Sequence, residues 1–81
     1  MTISVKLTGM QQVVAGTSVV EMPVTGYSTV RDVLDYVNKK YPKLAISTNS
    51  MFIVIDHQIV TLDRALRADD TIEFIPAIGG G

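Results

Sequence analysis

Only one stretch of this 81-residue chain reads as a convincing helix, while the other periodic segments read as strand, and this imbalance narrows the fold sharply. Thr29-Val-Arg-Asp32 has the Ser/Thr-x-x-acid form of a helix N-terminal capping box. Behind it Val30, Val33, Leu34, Val37 and Tyr41 recur at spacings of three and four residues, and Arg31, Asp32, Asp35, Asn38, Lys39 and Lys40 fall on the other face. Acids in the first half and lysines in the last turn complement the helix dipole, and Pro42 stops the helix. A helix with one apolar stripe has to lay it on another element, and the other elements in this chain are strands.

The strands follow from alternation. Ile3, Val5 and Leu7 share one face of residues 3–7, and a second strand covers Ser18 to Val24. Between them, Met10 to Thr17 reads as a loop or a single helical turn. Lys43 to Ser50 is an irregular connection. Met51-Phe-Ile-Val-Ile55 is a continuous apolar run, and Asp56-His57-Gln58 turns it into a short return strand over Ile59 to Leu62. Asp63 to Leu66 fits one helical turn, and Arg67-Ala-Asp-Asp70 is a polar turn. Thr71 to Pro76 is the last strand, with Ile72 and Phe74 inward and Glu73 and Ile75 outward.

Strand, strand, helix, strand, short strand, strand is the order of an α+β β-grasp, a mixed sheet of about five strands with the main helix across one face and the last strand central, beside the first. Residues 1–76 form this domain, and 77–81 are expected to be a flexible glycine tail. Charged residues are 19% of the chain and the net charge is -1, which argues against a nucleic-acid or membrane-surface partner. No stretch reaches the roughly 20 apolar residues of a membrane span, and the first residues alternate instead of forming a signal core, so a cytoplasmic location is expected. There is no cysteine, so neither a disulfide nor a thiolate metal site is available, and any sulfur carried must be attached from outside.

The sequence closes on Gly79-Gly80-Gly81, and three glycines contribute nothing to a core. They form a slim tether for a terminal carboxylate, suited to a narrow channel. Together with the strand before them, in Ala65 to Gly81, and with Ile55-Asp-His-Gln-Ile-Val60 and Ser28-Thr-Val-Arg-Asp-Val-Leu34, they resemble the ubiquitin-like sulfur carriers of the MoaD/ThiS family. The similarity is greatest to the small subunit of molybdopterin synthase. Ala77 stands where that family often has a second proline, and Gly79 extends the usual glycine pair to three.

The resemblance implies a working C-terminus. Gly81 would be adenylated with ATP by a ubiquitin-activating-type enzyme, receive sulfur from a persulfide protein, and become a thiocarboxylate. Gly79 and Gly80 would lie in a partner's channel, and Ile75, Pro76 and Ile78 at a partner interface; Ile59, Leu62 and Met51 are further candidates for that surface. The molybdopterin synthase large subunit would supply the catalytic side chains, with no cofactor or metal held stably by this chain. A thiamine-type carrier, a ubiquitin-like modifier joined to lysines through Gly81, and a plain β-grasp interaction module remain as alternatives. His57 reads as a solvated turn residue, Asp69-Asp70 as a polar turn, and Lys39-Lys40 as dipole-complementing charge; Gly9, Gly16 and Gly26 match no phosphate-binding loop.

Overall fold

The computed structural model describes residues 1–77. Among them is one five-stranded sheet: β1 (Thr2–Lys6), β2 (Val19–Pro23), β3 (Met51–Ile55), β4 (Gln58–Ile59) and β5 (Thr71–Pro76). They lie in the order β2-β1-β5-β3-β4. The pairing of β5 with β1 is parallel and the other ladders are antiparallel, so the sheet is mixed, as expected. The last strand does occupy the middle.

The main helix, α2 (Val30–Lys40), lays Val30, Val33 and Val37 on the sheet, all three fully buried. They meet Ile3 and Val5 of β1, Val20 and Met22 of β2, Ile53 and Ile55 of β3 and Ile72 and Phe74 of β5 in one core. The Asp32 carboxylate accepts the Thr29 amide at 2.8 Å, the reciprocal contact of the capping box. Asn38 departs from the polar role that its helix position suggests. Its side chain is partly buried and grips Ile46 at both ends, donating to the Ile46 carbonyl at 2.9 Å and accepting the Ile46 amide at 2.8 Å. The connection after α2 thereby closes over the core; it begins with a 3-10 turn, Pro42–Leu44, and buries Ile46.

Two other elements differ from expectation. Residues 10–15 form a full short helix, α1 (Met10–Ala15), bracketed by Gly9 and Gly16 at φ 58° and 75°, backbone that favours glycine. The return strand is shorter than Ile59 to Leu62: only Gln58 and Ile59 pair as strand, and the Leu62 carbonyl instead accepts the Arg31 amide at 3.0 Å. No helix among the described residues is long and apolar enough to cross a membrane.

Candidate functional site

The residues around β5 build the site. Its entry is held by Asp70, which is almost fully buried. The Asp70 carboxylate accepts from Arg64 Nη1 at 2.5 Å and from the Arg67 amide at 2.7 Å, and its carbonyl accepts the Ser4 amide at 3.0 Å. Asp70 is thus occupied within the chain as the polar turn required, and it starts β5 in register with β1. Along its length β5 is bonded to β3, from Ile55↔Ile72 to Met51↔Pro76, and the Ala77 amide still donates to the Ser50 carbonyl at 3.0 Å. β5 is therefore held to its last residue and one residue beyond.

Alternation divides β5 as expected: Ile72 and Phe74 are 0% and 1% exposed, whereas Ile75 is 41% exposed. Ile75 faces away from α2, on the bare side of the sheet. Register adds its neighbours. Phe52 lies opposite Ile75, Val54 opposite Glu73, and Ile59 opposite Val54, so all five side chains share that side. Phe52 is 46% and Ile59 67% exposed, and with His57 this group lines a shallow depression of roughly 460 Å³. A second groove, of roughly 500 Å³, lies on the other side of Phe52 and Ile59 and reaches Arg31, Leu62 and Asp63. The first contains Ile75 and so adjoins the end of β5.

The patch expected around Ile75 changes in membership. Ile59 belongs to it; Met51 and Leu62 do not, since both pack against the core. Phe52 and Val54 take their place. Pro76 is exposed but has the parity of Ile72 and Phe74, which puts it on the opposite face from Ile75. Ile78, Gly79, Gly80 and Gly81 lie outside the described residues. His57 is exposed in the tight β3–β4 turn, where it and Asp56 both have positive φ, 64° and 51°. Lys40 sits 5.7 Å from the Tyr36 ring and 5.9 Å from that of Tyr41, consistent with a solvated last turn.

Besides Phe52 and Val54, sequence reading missed a residue on the flank of β5. Gln11, on α1, is 6% exposed and donates through Nε2 to the Phe74 carbonyl of β5 at 3.0 Å. Its position in a presumed loop gave no sign of burial, because its partner is 63 residues away along the chain.

The fold is shared with solved structures of small carrier and modifier proteins. SAMP1 from Haloferax volcanii is 25% identical over 100% of both chains, with a TM-score of 0.83. The small archaeal modifier protein 1 of Methanosarcina acetivorans is 28% identical, covering 99% of this chain and 96% of that one, with a TM-score of 0.78. A subunit from the complex of subunits 1 and 2 of the molybdopterin-converting factor of Helicobacter pylori aligns over 100% of both chains at 16% identity and a TM-score of 0.66, a likeness of fold alone. No curated protein matches by sequence. The ThiS family model matches residues 5–81, from β1 through the glycine tail, and the chain belongs to this family of ubiquitin-like sulfur carriers and modifiers.

Proposed function

We propose that this protein is a sulfur carrier that works through the carboxylate of Gly81 and donates sulfur in molybdopterin synthesis as the small subunit of molybdopterin synthase. The observation that carries the proposal is the central β5, held between β1 and β3, bonded as far as Ala77 and flanked near its end by an exposed apolar face. A free carboxylate is a poor acyl donor. Attack of the Gly81 carboxylate on the α-phosphorus of ATP in an activating enzyme releases pyrophosphate and leaves an acyl-adenylate. A persulfide sulfur then displaces AMP, and cleavage of the resulting acyl disulfide by a second thiol leaves the thiocarboxylate, ionised and nucleophilic at neutral pH. Glycines at 79, 80 and 81 suit a channel too narrow for side chains. This chain would supply the reacting atom and the docking face, and its partners the acid, base and sulfur.

Docking of those partners is assigned to Phe52, Ile59 and Ile75, apolar side chains left exposed on the bare face. The modifier reading is the second one, and it has a specific support: identity to the two small archaeal modifier proteins is 25% and 28%, above the 16% to the molybdopterin-converting factor subunit. In that reading the acyl group of the same adenylate passes to a lysine amine of another protein, forming an isopeptide bond and releasing AMP.

Intact-protein mass spectrometry of the chain from its own cells, with fragmentation of the C-terminal peptide, tests both. Sulfur in place of oxygen on Gly81 is the expected result. An unmodified terminus alongside lysine-linked conjugates would select the modifier. An unmodified terminus without conjugates, even with activating enzyme and ATP added, would reject both.

A further inference from the structure

β1 and β5 part company before the sheet ends. The last β1 partner of β5 is Lys6, opposite Glu73; β1 then stops, and the Leu7 amide bonds to Ser18 at 2.8 Å instead. β5 runs on through Phe74, Ile75 and Pro76 with β3 on one flank only. On the vacated flank the Phe74 carbonyl is buried, and a carbonyl left there without a donor would be destabilising.

Gln11 occupies that flank. Besides its 3.0 Å bond to the Phe74 carbonyl, Nε2 lies 3.5 Å from Met51 Sδ, and Oε1 faces the Thr8 amide at 3.5 Å. Packing α1 on the body needs no amide at this place; an apolar side chain of similar length would fill the space. What the amide adds is a substitute for the missing β1 residue. The Phe74–Ile75 peptide is then held on both sides, its C=O by Gln11 and its N–H turned towards β3.

We infer that Gln11 is a positioning residue: by fixing that peptide it sets the direction in which the end of β5 points beyond Ala77. It touches no reacting atom and acts through the backbone of β5. The inference rests on Gly81 being the reacting terminus, but its structural half stands apart from that reading.

The test is Gln11→Met, which keeps length and apolar packing and removes the donor; Gln11→Leu serves as a second variant. In the free protein, amide hydrogen exchange at Ile75 and Ala77 is expected to rise about tenfold, the scale of one lost buried hydrogen bond. Exchange at Val24 and Tyr41, bonded to Met1 and Val37, should stay within about twofold of the wild type. With the activating enzyme and ATP, kcat for carrier-dependent pyrophosphate exchange should fall about tenfold, while KM for the carrier changes less than about twofold, because the docking face is intact. Unchanged exchange at Ile75 and Ala77 would overturn the anchoring, and raised exchange with unchanged kcat would overturn the role in positioning. If wild-type protein supports no pyrophosphate exchange, the carrier reading fails, and amide exchange alone still decides whether Gln11 anchors β5.

Discussion

Both faces of the sheet carry large apolar side chains, and the two sets are put to opposite use. On the face under α2, Ile53, Ile72 and Phe74 are at most 3% exposed. On the bare face, in the same strands, Phe52 and Ile75 are 46% and 41% exposed. Folding accounts for the first set, because burial of such side chains is the main stabilising term available to a chain of this size. It does not account for the second, which would be polar if the face only had to meet water. Apolar side chains left this exposed near the end of β5 are best explained by what docks there.

The sharpest way to break this comparison is at Phe74. Phe74→Ala is expected to lose about 3–5 kcal/mol in urea or guanidinium denaturation, a large share of the stability of a small domain. Asn38→Ala should lose about 1–3 kcal/mol, since it strips the Ile46 amide and carbonyl of their partner. On the other face, Ile75→Ser and Phe52→Ser should each change stability by less than about 1 kcal/mol, yet weaken binding to the activating enzyme about tenfold or more in a titration. A loss of stability there as large as that of Phe74→Ala would mean that the bare face is part of the core.

Smaller effects sharpen the picture around the bare face. His57→Gly is expected to raise stability by roughly 0.5 kcal/mol, as the relief of left-handed backbone outweighs the added unfolded-state entropy, and thermal unfolding would register it. The smallest effect concerns Asp63, whose exposed carboxylate is held below its ordinary pKa first by the Thr61 hydroxyl and then by its own backbone amide. A folded pKa below the unfolded one means that the contribution is present at neutral pH and is lost as pH falls through the folded value. Thr61→Ala should therefore move the Asp63 titration upward, read by NMR of the carboxyl carbon.

Much of the fold was legible in the sequence. Strict alternation in residues 3–7 and 71–76 specified which side chains turn inward, and the capping box with its stripe located α2, because these signals are local and periodic. Where periodicity was absent the reading was incomplete. Met51 to Ile55 is apolar at every position, so nothing distinguishes buried Ile53 from exposed Phe52 until the register with β5 is known. Gln11 and Asn38 were opaque for a different reason. A polar side chain is buried when a backbone group elsewhere needs it, and a sequence window does not contain that need. At the candidate site, the orientation of Ile75 was legible, and the same alternation puts Pro76 on the opposite face, whereas the membership of Phe52 required the sheet itself.

The placement of β5 also bears on the order in which the protein comes together. The β1–β2 and β3–β4 pairs share no ladder with each other, and the strand between them is the one that follows all the rest along the chain. Without residues 71–76 no ladder joins the two half-sheets, and only packing against α2 relates them. The sheet closes around the strand that comes after the others in sequence, and the glycine segment follows along the chain the element that completes the fold.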